Sequence, residues 1–106
     1  MNEQEFTEVS EQMLRAIESA LENCGAALDF EWQGDGVLEI SFENGSKVIV
    51  NRHNAAQEIW IAARSGGFHF KYINNHWQDA RDQQTLKQRL SLIVSLQAEE
   101  EITLDI

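Results

Sequence analysis

At about 100° of helical rotation per residue, Glu11, Glu18 and Glu22 fall on one narrow stripe, with Glu8 on its flank. Carboxylates grouped without histidine or thiolate partners suit hard, oxygen-seeking cations: ferrous or ferric iron, Mn²⁺ or Ca²⁺. A convex helix face offers few ligands per ion and little outer support. Binding there is expected to be weak, multiple and sensitive to ionic strength. A solvated helix face can also be acidic for no reason beyond solubility. Two placements argue for more. Glu18 and Glu22 are like charges one turn apart, unfavourable by roughly 0.2–0.5 kcal/mol. They also occupy the second half of the helix, where the macrodipole favours cations. Glu3, Glu5 and Glu8 are favourable in the first turns, and Arg15 neutralises part of the stripe. Asp29 and Glu31 carry the acidic run into the next strand. A strand at the sheet edge beside the helix would join both sets into one ridge.

Trp60 is the second notable residue. Alternation assigns Ile59 and Ile61 to the core and turns Glu58 and Trp60 to the opposite face, which two helices on the other side would leave uncovered. A tryptophan there, in an acidic surface, is a protein-contact anchor. The plainer alternative is shielding by neighbouring Gln and Arg side chains. Trp32 reads as core.

Catalytic patterns are missing. His53, His69 and His76 lie in or beside separate strands without HxH or HExxH spacing. No G-x-S-x-G elbow, P-loop or dinucleotide-binding glycine run occurs, and Ser65-Gly66-Gly67-Phe68 reads as a turn. Cys24, the single cysteine, falls on the apolar stripe of the first helix as a small buried hydrophobe. Alone it can form neither an internal disulfide nor a thiolate metal cluster. The residues give no reason to expect an enzyme.

The elements that must position these groups follow from periodicity. Phe6, Val9, Met13, Ile17, Leu21 and Cys24 predict a helix over residues 4–23, stopped by Gly25. Leu28, Phe30 and Trp32 alternate with polar residues, as do Leu38, Ile40 and Phe42. Asn44-Gly45 predicts a type I′ turn leading into a return strand over 47–51. Further strands are expected over 57–63, 68–72 and 76–79, then a helix entered from Asp82 and reaching Gln97, then a short strand over 102–104. Short connections favour an antiparallel meander. The expected fold is α+β, a two-layer αβ sandwich with two helices packed on one face of an antiparallel sheet, in a single domain over residues 1–106.

Composition narrows the partners. Eight basic against eighteen acidic residues give a formal charge of −10 in 106 residues. That balance opposes nucleic acid and anionic membranes and favours a cation or a basic protein patch. The start of the chain lacks a signal-peptide pattern, and its longest apolar stretch, Ile59 to Ala63, is far short of a membrane span. A soluble, cytoplasmic monomer is expected.

Three ordered motifs bring in a family resemblance. Phe42-Glu43-Asn44-Gly45-Ser46-Lys47 with Val48-Ile49-Val50-Asn51-Arg52, then Ile59-Trp60-Ile61-Ala62, then Ser65-Gly66-Gly67-Phe68-His69-Phe70 closely resemble the middle of bacterial frataxins, the CyaY family. The opening Met1-Asn2-Glu3-Gln4-Glu5-Phe6 is similar too, so the resemblance spans essentially the whole chain. It implies a frataxin-like sandwich, weak binding of iron (Fe²⁺ or Fe³⁺), and a role in iron–sulfur cluster assembly. The implied partner is the cysteine desulfurase and iron–sulfur scaffold complex, which the protein would regulate, with iron delivery as a further role. By position, Glu18 and Glu22 match ridge acids of the family, with Glu3, Glu8, Glu11, Asp29 and Glu31 as further metal-binding contributors. Glu18, Glu22 and Trp60 match its partner-binding positions. Ser19, Asn23, Gly25, Ala26 and Ala27 depart from the acid-rich pattern, which argues against a high iron stoichiometry. The rival readings are a ferroxidase or iron-storage protein, which needs tighter carboxylate clusters, and a metal-independent acidic adaptor.

Overall fold

The computed structural model describes the whole chain, Met1–Ile106. Helix α1 spans Glu3–Asn23; its N-cap Asn2 side chain accepts the Glu5 N–H at 2.8 Å, and Glu3 and Glu5 complement the dipole in the first turn. Phe6, Ser10, Leu14, Ile17, Ala20 and Leu21 form its buried stripe. Gly25 follows the last turn at φ +74, a left-handed position that costs glycine little.

Six strands follow: β1 (Leu28–Trp32), β2 (Val37–Phe42), β3 (Lys47–His53), β4 (Glu58–Ala63), β5 (Gly66–Ile73) and β6 (His76–Asp79). They pair antiparallel in sequence order, so β1 and β6 are the edges. Helix α2 (Leu86–Ala98) completes the regular structure. One core of twenty buried hydrophobic residues unites both helices with Leu38, Ile40, Val48, Val50, Ile59, Ile61 and Phe70 from the sheet. Both helices therefore cover the same sheet face, as the patterning predicts, and the other face is left open.

Several local details depart from the sequence reading. The β2–β3 hairpin is not a type I′ turn. Gly45 alone takes positive φ (+87), and its N–H donates to Phe42 O at 3.0 Å across a longer loop. The Asn44 side chain explains the change: Oδ1 accepts from the Ser46 N–H at 3.0 Å, while Nδ2 donates to Gln97 O at 2.8 Å, tying the loop to the end of α2. A pair of left-handed residues does occur between the paired Ile73 and His76, at Asn74 (φ +50) and Asn75 (φ +66).

Helix α2 begins after Thr85, not at Asp82. Thr85 and Gln88 form a reciprocal capping box. Asp82 instead accepts from the Gln84 N–H at 3.0 Å and pairs with Arg89.

The segment 102–104 joins no strand. Ile102 and Leu104 are buried, but their N–H groups donate to Ser95 Oγ (2.9 Å) and Ser91 Oγ (3.1 Å) of α2. Helix serines take the place of a strand partner, so an alternating apolar pattern is satisfied outside any sheet.

Candidate functional site

The acidic side of α1 meets edge strand β1 at Trp32. Trp32 is half-buried rather than full core, and its Nε1–H donates to Glu18 Oε2 at 2.7 Å. Arg15 lies 5.9 Å from the Trp32 ring centroid and 3.9 Å from Glu18 Oε1. Glu18 is thus held in place beside the edge, with a quarter of its side chain exposed.

Glu11 is more heavily committed. Its two oxygens receive Arg15 Nε at 2.9 Å and Arg52 Nη1 at 3.2 Å. Arg52, only 7% exposed, also reaches Asp35 at 2.8 Å. Its guanidinium lies 3.2 Å from where a Cβ on Gly36 would stand, so that turn admits no side chain without displacing it. This network joins α1, the β1–β2 turn and β3, and the sequence reading missed it because its members are far apart in the chain.

The remaining acids are freer. Glu3 and Glu22 are exposed with no ion-pair or side-chain hydrogen-bond partner, and Glu8 receives only Gln4 Nε2 at 3.4 Å. Alternation along β1 directs Leu28, Phe30 and Trp32 toward the helices, so exposed Asp29 and Glu31 point to the open face. Helix and strand acids therefore flank the two sides of one edge strand. Glu31 stands opposite Glu39 in the β1–β2 register, and Glu39 is paired with Lys47 at 3.1 Å. No three His, Cys, Asp or Glu side chains converge closely enough to hold one metal ion. The donor set still fits a hard cation, bound diffusely by carboxylate oxygens.

Trp60 lies on the open face, as alternation requires, but it is half-buried. Its indole is stacked between His53 (centroids 3.9 Å apart, planes at 10°) and His69 (4.1 Å, 3°). The indole N–H donates to Glu58 Oε1 at 2.7 Å. Its surroundings are not the acidic surface the sequence suggests. His69 and Lys71 each lie 3.8 Å from Glu58, and His69, Asp79 and Arg81 line an adjoining hollow of about 250 Å³. The β4–β5 register places His69 directly opposite Trp60. The sequence reading puts the turn at Ser65-Gly66-Gly67-Phe68, but both glycines pair within β5 and the chain turns at Arg64-Ser65, which sets this pairing. The approach of His53 from β3 has no short-range signal at all.

Asp79 anchors Arg81 at the far edge. It is buried, and its oxygens accept from the Arg81 N–H (2.8 Å), Nε (3.2 Å) and Nη2 (2.9 Å). The Arg81 side chain lowers its pKa, aided by that backbone N–H and opposed by burial. Cys24 is half-buried against the core, and its thiol donates to Leu21 O at 3.2 Å.

This pairing of an acidic helix edge with a tryptophan on an open sheet face sits within a chain whose residues 1–100 match the model of the frataxin-like domain. The chain belongs to the frataxin-like family. Two curated relatives bear the name iron–sulfur cluster assembly protein CyaY. That of Dechloromonas aromatica is 52% identical over 98% of this chain and 99% of its own length, and that of Colwellia psychrerythraea is 42% identical over 98% and 97%. Frataxin from Psychromonas ingrahamii matches with a TM-score of 0.90 at 31% identity over 100% of both chains. A ferrous complex of trimeric frataxin from Saccharomyces cerevisiae shares the fold, with a TM-score of 0.72 at 20% identity over 87% of each chain. No helix of this frataxin is long and apolar enough to cross a membrane.

Proposed function

We propose that residues 1–106 work as one frataxin-like domain, a cytoplasmic monomer that regulates the cysteine desulfurase complex of iron–sulfur cluster assembly and binds iron weakly. It acts by binding rather than catalysis. Iron is cargo, held by carboxylates of Glu3, Glu8, Glu18, Glu22, Asp29 and Glu31, with Glu11 supplying charge while paired to two arginines. Glu18, Glu22 and Trp60 contact the protein partner. The observation that carries this reading is the unpaired acidic edge: Glu3, Glu22 and Asp29 are exposed and have no cationic partner. Such a surface attracts cations and basic protein patches and speeds encounter with them. The names of the curated relatives support the same process.

A pull-down from cell extract, with and without Fe²⁺, tests it. Recovery of a cysteine desulfurase, with the amount altered by iron, is the expected result. Failure to recover one under either condition overturns the regulatory role. Anaerobic Fe²⁺ titration should show several weak sites, and subsequent oxygen addition should give no catalytic uptake.

The absence of any converged three-ligand cluster also favours a metal-independent adaptor as a second reading. Desulfurase control lost in a Glu18→Lys/Glu22→Lys variant whose iron affinity is unchanged would select it.

A further inference from the structure

Both faces of the Trp60 indole are occupied by the chain's own imidazoles, at centroid distances of 3.9 and 4.1 Å and nearly parallel planes. Stacked aromatic rings attract one another beyond the area they bury. The edge is fixed as well. The indole N–H is committed to Glu58 at 2.7 Å. His53 is itself oriented, because its Nδ1 accepts the Ala56 N–H at 3.2 Å, which leaves Nε2 as the protonated nitrogen of the neutral ring. His69 stands across the β4–β5 ladder from Trp60, with its Nδ1 facing Glu58 at 3.8 Å. These contacts come from β3, the β3–β4 turn, β4 and β5, so one side chain is held by four parts of the sheet.

We propose that His53 and His69 are positioning residues that clamp Trp60 upright, so that the partner recognises the benzo edge of the indole and not its face. The idea rests on the reading of Trp60 as a partner contact and adds what the partner must offer. A guanidinium or ammonium group from the partner has no free indole face on which to stack. The complementary surface is an apolar slot that receives a ring edge, bordered by groups that lie against the outer imidazole faces. His69, with about half its side chain exposed, presents such a face. A clamped tryptophan also loses little further freedom on docking, whereas a mobile side chain must be immobilised at an entropic cost.

The experiment uses the full chain with His53→Ala, His69→Ala and the double substitution, alongside His53→Phe and His69→Phe, which keep a stacking ring. Two readouts are taken. In the free protein, ¹⁵N relaxation of the Trp60 indole Nε1–H reports its mobility without any partner. Calorimetry against the desulfurase reports affinity. The alanine variants should make the indole mobile on the picosecond–nanosecond scale and weaken binding by about 2- to 10-fold per ring removed, the span of one stacking contact. The phenylalanine variants should restore both. An indole as rigid in the double alanine variant as in the native protein overturns the clamp, whatever the affinity does. Tighter binding after either alanine substitution overturns edge recognition, because it would mean the partner uses a face that the imidazoles had blocked. Trp60→Ala separates the two ideas. If it leaves affinity unchanged while the clamp is confirmed by relaxation, the docking role of Trp60 fails and the clamp stands as a property of the fold alone.

Discussion

The acidic edge and the open sheet face are built on opposite plans. On α1, long flexible carboxylates are spread along a convex surface, and the ones that are held, Glu11 and Glu18, are held by arginine and tryptophan. On the sheet, three planar rings stack across three adjacent strands, Trp60 directly opposite His69 and diagonal to His53, with a single carboxylate to hydrogen-bond the central one. The first arrangement suits long-range attraction, which depends on charge and little on shape. The second suits short-range recognition, which depends on shape and little on charge. On the function proposed above, encounter and grip would fall to different secondary-structure types.

The sharpest way to break this division is Trp60→Arg. It should weaken desulfurase binding by about a hundredfold, as expected for a central aromatic anchor. The dissociation rate should account for most of the loss. The fold should stay intact with a lowered melting temperature, because two ring stacks and the Glu58 hydrogen bond are lost while the core on the other sheet face is untouched. A hundredfold loss carried by the association rate would place Trp60 in the steering system instead.

Acid provides a second separation. Asp79→Ala should cost about 2 kcal/mol of stability, the scale of hydrogen bonds to a charged group, without direct effect on the acidic edge. The folded-state pKa of Asp79 is lowered, so its contribution is fully present above the ordinary carboxylate range and is lost as pH falls through the depressed value. Thermal unfolding of native and variant protein should therefore differ most at neutral pH and converge in strong acid.

Within the acidic edge, Glu18 and Glu22 should behave differently. Glu18→Lys removes the acceptor for the Trp32 indole and should cost about 1–2 kcal/mol of stability as well as binding. Glu22→Lys should slow association a few-fold, with a shallower salt dependence, and raise stability by about 0.2–0.5 kcal/mol, because it replaces a like charge one turn from Glu18 with an opposite one near the end of α1. Stopped-flow association at two ionic strengths, beside a thermal melt, distinguishes them. The smallest effect is expected for Arg15→Ala. Loss of an exposed pair on α1 should change stability by about 0.5 kcal/mol or less, and freeing Glu18 from a nearby cation should slightly strengthen cation binding.

The layered architecture and which face Trp60 occupies were legible because both depend on periods of two and 3.6 residues, which survive in a bare sequence. The β4–β5 pairing of Trp60 with His69 was not legible, because Gly66 and Gly67 read as a turn while the chain reverses at Arg64-Ser65. What escaped were contacts set by tertiary geometry. Nothing adjacent in the chain announces that Arg52 will reach Glu11 and Asp35, or that His53 will complete the ring stack. Trp32 was misjudged for a related reason: alternation gives the direction of a side chain but not the depth of the layer above it, and at an edge strand that layer thins. Asn44-Gly45 misled because the asparagine side chain found partners in α2, a competition invisible to local turn rules.

The closing segment after α2 has its own implication. Because the amides of Ile102 and Leu104 are secured by the hydroxyls of Ser95 and Ser91, hydrogen exchange at those two amides monitors detachment of the tail from the helix independently of strand separation. Replacing both serines with alanine would remove that protection while leaving the meander's ladder hydrogen bonds intact, so loss of the tail's anchorage can be read apart from opening of the sheet.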